Sequence, residues 1–222
     1  MFGLSTTPIR DMMEGWVKLI GLDFIINTIL TPELKLCRVV AGDYVAAHRE
    51  GVKIGKQVLG SKVTEKADVV IVSSHPADQD FWQSPKAMYG AEPALKGDRG
   101  GTMIMISPNY EGIGPHPEYP EYMARDDGDA IVRACIAGEA IPGDRLAIAV
   151  GNSMSKMRRR RKLVVVGDGV TGEQMSACGC KYYPLSALQQ AIDDAVAEYE
   201  GCRVAAMSGG AEAFLYDEGE SI

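Results

Sequence analysis

Residues 66–74, Lys66-Ala67-Asp68-Val69-Val70-Ile71-Val72-Ser73-Ser74, decide the fold. A near-continuous apolar run of this length reads as a strand covered on both faces, as in a parallel sheet flanked by helices. The run recurs downstream as Gly101-Thr102-Met103-Ile104-Met105-Ile106-Ser107, as Lys162-Leu163-Val164-Val165-Val166 and as Arg203-Val204-Ala205-Ala206-Met207. Helical patterns lie between them, at 84–95, in two pieces over 119–138, and at 185–199. In the last of these, Leu185, Leu188, Ala191, Ile192, Ala195 and Tyr199 form one stripe, Ser186 and Gln189 have capping-box spacing, and Gly201 follows. Residues 145–157 alternate like a strand at first but are long enough for a helix, and helix is the reading adopted. Strands alternating with helices predict right-handed βαβ units. The expected class is α/β, a doubly wound, Rossmann-like and mostly parallel sheet.

Upstream the pattern differs. Thr7 and Pro8 open a helix carrying Ile9, Met12, Met13, Trp16 and Ile20, and Gly21 closes it. Two β-rich runs, 24–30 and 36–40, flank a turn at Thr31-Pro32-Glu33 and predict a hairpin. A helix from Asp43 to about Leu59 follows, with His48 on its surface. The division expected is a small α+β appendage over 1–62 and an α/β domain over 63–222.

Composition narrows the class of function. The chain has 222 residues, 46% hydrophobic and 24% charged, which excludes a disordered or fibrous protein. No apolar run reaches the ~18–20 residues of a membrane span. A net charge of −7 argues against nucleic acid or an anionic membrane as partner. Five Cys in a chain this size do not form a disulfide framework, so a reducing, cytoplasmic setting is expected.

In open α/β sheets ligands collect at the carboxyl ends of the strands. The segment after the first buried strand, residues 73–86, holds His75, Asp78, Asp80, Trp82, Gln83 and Lys86. Gln83 and Lys86 are three apart and share a face at the first turn of the helix. A Lys there opposes the helix dipole, which makes sense beside a bound anion. Val166-Gly167-Asp168-Gly169-Val170-Thr171-Gly172 contains G-x-G-x-x-G after a strand. It lies late in the fold and lacks an acidic residue ending a following strand, so a dinucleotide-binding oxidoreductase is the alternative reading. His116, Glu118 and Glu121 sit in a Pro-rich loop, which gathers polar residues by default; metal sites need three or four convergent ligands, and none is expected. Cys178-Gly179-Cys180 reads as buried thiols. The run Arg158-Arg159-Arg160-Arg161-Lys162 reads as solvated charge at a helix end.

Longer stretches carry a resemblance. Gly21-Leu22-Asp23-Phe24-Ile25-Ile26-Asn27, Val40-Ala41-Gly42-Asp43 and Ala46-Ala47-His48-Arg49-Glu50-Gly51 resemble the middle of the nickel-dependent lactate racemase family. Lys66–Ser73, Trp82-Gln83-Ser84-Pro85-Lys86-Ala87, Gly101-Thr102-Met103-Ile104 and Glu111-Gly112-Ile113-Gly114 resemble its second half. The resemblance implies a nickel-pincer nucleotide that takes a hydride from the α-carbon of a small 2-hydroxy acid and returns it to either face. It implies that Gln83 and Lys86 act on the carboxylate, that Trp82 walls the site, and that His75 stands where an aromatic is usual. The cofactor-bearing lysine and the catalytic histidines of the family's N-terminal half have no counterpart in this sequence. The expectation is therefore a C-terminal portion or subunit of such an enzyme, binding no cofactor alone. It would be completed by an N-terminal-half partner, or would self-associate, through residues 1–60. A non-catalytic ligand-binding module is the third reading.

Overall fold

Valine and isoleucine at 69–72 form an interior strand because their branched side chains suit a pleated surface buried on both faces. A computed structural model describes residues 6–141 and 143–217 of the chain. It divides into two units, residues up to Lys62 with the strand from Phe214, and Val63–Ala213.

In the first unit, helix α1 (Pro8–Ile20) starts as predicted: the Thr7 hydroxyl accepts from Arg10 N–H at 3.1 Å, and Gly21 ends it at φ 77°. Strands β1 (Ile25–Leu30) and β2 (Leu36–Gly42) form the antiparallel hairpin, with Ile25 opposite Gly42. Helix α2 (Tyr44–Leu59) is capped by the Asp43 carboxylate, which accepts from Val45 and Ala46 N–H. Arg49 of α2 pairs with Glu14 of α1 at 2.7 Å. Strand β3 (Gly60–Val63) pairs with the last strand of the chain.

The second unit holds the parallel sheet. In chain order it comprises β4 (Val69–Ser73), α3 (Lys86–Ala91), β5 (Thr102–Ile106), α4 (Tyr119–Ala124), α5 (Gly128–Ile136) and α6 (Arg145–Arg158). Then come β6 (Lys162–Val166), α7 (Gly172–Ala177), β7 (Lys181–Tyr183), α8 (Leu188–Val196) and β8 (Val204–Met207). The closing strand β9 (Phe214–Asp217) pairs with β3. The five strands lie in the order β7-β6-β5-β4-β8, all parallel, with Val69 level with both Thr102 and Val204. The α/β class expected from the sequence is the one observed. One face of the core packs Val69, Ile104, Val164, Val166 and Tyr183 against Ala191 and Ala195 of α8.

Several local expectations change. Residues 145–157 keep the helical reading throughout; Asp144 caps them by accepting from Leu146 and Ala147 N–H. The helix expected over 84–95 is α only from Lys86 to Ala91, with a 3₁₀ turn over Glu92–Ala94. No capping box forms at Ser186: residues Leu185–Ala187 are 3₁₀, and Gln189 instead donates to Asp193. The reciprocal box lies at Thr171 and Gln174, opening α7. The basic run is solvated only in part, at Arg159 and Lys162. Arg161, 6% exposed, donates to the carbonyls of Lys96, Gly97 and Gly100, and both it and Arg160 bind Glu92. Guanidinium geometry, with its rigid fork of donors, fastens the turn that leads into β5.

The connection after β8 lies so close to β4 and α3 that it needs glycine. A Cβ on Gly210 would sit 2.2 Å from Val72 Cγ2, and one on Gly90 would sit 2.3 Å from the Gly210 carbonyl. Gly210→Ala is expected to cost about 2–3 kcal/mol by overpacking, lowering the melting temperature by roughly 5–10 °C. Gly55→Ala, inside α2 with no neighbour within 4 Å, is expected to stabilise by about 0.5–1 kcal/mol. Thermal melts of the two variants check both signs.

Candidate functional site

The sheet runs β4, β5, β6, β7 in one direction and then returns to place β8 on the other side of β4. The carboxyl ends of β4 and β8 thus form the switch point where open α/β sheets bind ligands. Two connections meet there. Gly210 N–H donates to the Ser73 carbonyl at 2.9 Å, joining the segment after β8 to the start of the segment after β4.

The segment after β4 is built from its own backbone bonds. Asp80, buried, ends a turn by accepting from Gln83 N–H at 2.8 Å through its carboxylate and from Ser84 N–H at 3.0 Å through its carbonyl. Phe81 is wholly buried and donates its N–H to the Gly112 carbonyl, which ties this segment to the one after β5. The turn delivers Trp82, Gln83 and Lys86 in succession. Gln83 and Lys86 come together as expected: the Lys86 ammonium donates to Gln83 Oε1. Lys86 is exposed and has no carboxylate partner among the described residues. Two ammonium N–H groups and the Gln83 amide N–H₂ remain to donate, a set that suits a carboxylate.

His75 stands apart from that pair. Its side chain is 72% exposed and lies 3.4 Å from the Asp78 carboxylate. Trp82 is half-buried and packed on the other side, its ring 4.0 Å from His116 and edge-on to Tyr119 at 5.1 Å. Sequence reasoning weighed His116 only as a metal ligand and did not link it to Trp82. The structure pairs its Nδ1 with the Asp144 carboxylate, while Glu118 accepts from Asp144 N–H at 2.7 Å. The hydrogen bond from His116 holds the Asp144 carboxyl below its usual range, aided by the two backbone N–H groups it caps. Nothing in the spacing of 82, 116 and 144 marks this contact, because three separate loops bring the residues together.

The G-x-G-x-x-G segment has a packing role. A Cβ on Gly167 would lie 1.9 Å from the Ser107 carbonyl oxygen, and one on Gly169 would lie 2.0 Å from that of Asn109. Those faces are covered by main chain and are not open to a pyrophosphate. Cys178 and Cys180 are buried thiols; burial pushes Cys178 up to about 12 and raises Cys180 further. A cavity of about 310 Å³ opens at the opposite, amino edge of the sheet, lined in part by Arg158, Lys162 and Lys181. Each of those cations already has a carboxylate partner, Asp126, Glu198 and Asp194 respectively. The unpaired ammonium lies at the carboxyl edge, and that edge is the better site.

The arrangement defines an α/β domain whose switch point presents an amide–ammonium pair, preceded by a tryptophan packed on His116 and Tyr119. Comparison with known proteins places it further. Lactate racemase of Lactiplantibacillus plantarum is 35% identical over 120 residues, 53% of this chain and 27% of that protein. Lactate racemase of Thermoanaerobacterium thermosaccharolyticum is 28% identical over 137 residues, 60% of this chain and 31% of that protein. The lactate racemase apoprotein structure from the latter organism superposes with a TM-score of 0.75 at 22% identity, over 93% of this chain and 49% of that one. A Thermotoga maritima protein superposes with a TM-score of 0.60 at 12% identity, over 96% and 54%. No family model matches. The resemblance to lactate racemases is thus shown in sequence over about half of the chain and in fold over nearly all of it. The chain spans about half the length of the solved lactate racemase, and the matched stretches cover under a third of the curated relatives.

A depressed carboxyl stabilises the fold above its unfolded-state range and loses that contribution as pH falls through its folded value. The gap in melting temperature between wild type and Asp144→Asn is therefore expected to close as pH is lowered from about 6 to about 3. A gap that stays constant in calorimetry across that range would remove the charge from the account of Asp144.

Proposed function

We propose that this chain supplies the substrate-side part of a lactate-racemase-like enzyme acting on a small 2-hydroxy acid. The observation that carries the reading is the Lys86–Gln83 pair, placed at the carboxyl end of β4 with unused donors. In this reading Lys86 and Gln83 hold the carboxylate, and Trp82 walls the α-carbon side. His75 marks the outer rim. A carboxylate held by a charged donor and an amide is fixed in plane, which orients the α C–H bond for reaction; orientation of this kind lowers barriers by several kcal/mol.

Racemisation by hydride transfer needs a group that accepts a hydride and returns it. The side chains of Lys86, Gln83 and Trp82 cannot do so. The resemblance implies a nickel-pincer nucleotide for that role. Among the described residues no three His, Cys, Asp or Glu side chains converge to hold a metal ion. On this reading the cofactor is held by the partner that completes the enzyme. Apolar exposure on the first unit supports association: Leu19 and Ile20 at the end of α1 are 86% and 83% exposed, and Trp16 is 56% exposed. Exposed apolar surface on this scale marks an interface. No helix among the described residues is long and apolar enough to cross a membrane.

The test mixes the chain with a histidine-bearing N-terminal half and the nickel-pincer cofactor, then follows interconversion of D- and L-2-hydroxy acids. The chain alone is expected to show no turnover, and the mixture to show it. Lys86→Ala should reduce kcat/KM by roughly 10²-fold, the cost of removing a single charged orienting contact. A Lys86→Ala mixture with wild-type rates would refute the site, and Ile20→Asp with undiminished assembly would refute the interface.

A further inference from the structure

Trp82 is held more firmly than a loop residue needs to be. Its ring centre lies 4.0 Å from that of His116, tilted by 41°, and 5.1 Å from that of the buried Tyr119, nearly perpendicular at 84°. Gly114, at φ 94°, lies under it; a Cβ there would fall 3.0 Å from Trp82 Cβ and 2.9 Å from the Asp80 carboxyl carbon. His116 in turn is tied by Nδ1 to Asp144. Because an ionised carboxylate only accepts, Nδ1 carries the proton and the ring is fixed in one tautomer. Asp144 is itself anchored three ways: its N–H donates to Glu118, and its Oδ1 caps the first turn of α6 through Leu146 and Ala147 N–H. A fourteen-residue helix therefore sets the position of one indole, through one carboxylate and one imidazole.

We propose that His116 and Asp144 are positioning residues that fix Trp82 as a rigid wall beside Gln83 and Lys86, selecting 2-hydroxy acids with small side groups. The proposal rests on the reading of Gln83 and Lys86 given above. A wall with freedom to swing admits larger groups; a wall clamped between two rings does not. The residue next to Trp82 in sequence is Gln83, so movement of the indole also disturbs the amide that partners Lys86.

The test separates the clamp from the ligand. Trp16 and Trp82 are the two tryptophans of the chain, so Trp16→Phe leaves Trp82 as the sole emitter. In that background, acrylamide quenching of Trp82 emission in the full chain is expected to rise at least ~2-fold in His116→Ala and in Asp144→Ser. Serine keeps an oxygen to cap α6 but is too short to reach the imidazole. His116→Asn places an amide N–H₂ where Nδ1 stands, keeping a donor to the Asp144 carboxylate and a planar group beside the indole, and should recover part of the wild-type value, which a purely structural loss would not. Unchanged quenching in His116→Ala and Asp144→Ser, with folding confirmed by circular dichroism, overturns the clamp. Titration with D-lactate and with D-2-hydroxyisocaproate then reads selectivity: wild type should favour lactate, and His116→Ala should narrow the ratio of dissociation constants by about 10-fold. An unchanged ratio overturns the role in selection. Failure of either acid to bind wild type overturns selection together with the reading of Gln83 and Lys86, while the clamp is still decided by quenching.

Discussion

The candidate site depends on the main chain after β8 lying against the main chain around β4 and α3. Strand β4 is hydrogen-bonded on both sides, to β5 and to β8. Each neighbour ends in a connection that must leave at the same edge. The Gly210 N–H to Ser73 carbonyl bond closes that edge, and Gly90 and Gly210 permit the approach because neither has a Cβ. With that edge closed, the chain after Ser73 is directed away from β8, and the turn at Asp80 points Gln83 and Lys86 outward from the sheet. Glycine here acts by leaving room for backbone, not by adopting unusual torsions.

The same logic explains the two first glycines of the G-x-G-x-x-G segment. In a dinucleotide fold such glycines make room for a pyrophosphate. Here the segment after β6 presses on the segment after β5 at Ser107 and Asn109, and protein main chain takes the space. An identical sequence signature thus serves packing, and only the neighbouring backbone distinguishes the two. The basic run ending α6 follows the same pattern: a string of five cations reads as solvent-facing, yet Arg161 is among the most buried charged groups because three carbonyls and a carboxylate surround it.

The sheet was legible because buried parallel strands write long apolar runs, and all four such runs became strands. Short elements were not. Strand β7, of three residues, is too short for a period to show. Strand β9 pairs with β3 from the far end of the chain, a partnership that no local pattern encodes. The site divides in the same way. Gln83 and Lys86 were legible because they lie one helical turn apart, so spacing alone predicts their contact. His116 and Asp144 were not, because their contact spans 28 residues and depends on where α6 begins. The start of α6 was itself obscured by the strand-like alternation of Leu146, Ala147 and Ile148.

That difference bears on how the two parts of the site act. The side chains of exposed Lys86 and half-buried Gln83 are partnered with each other, so they can reorganise around a ligand at little cost to the fold. Trp82 is coupled through His116 and Asp144 to a helix cap, so its movement costs stability elsewhere. A binding site joining an adaptable charged pair to a wall fixed by the scaffold separates two tasks. On the proposed reading, the pair would capture carboxylates as a class, and the wall would decide which of them sits in a reactive pose. On that reading, positions 83 and 86 govern affinity for the class of ligand, and positions 116 and 144 govern choice within it.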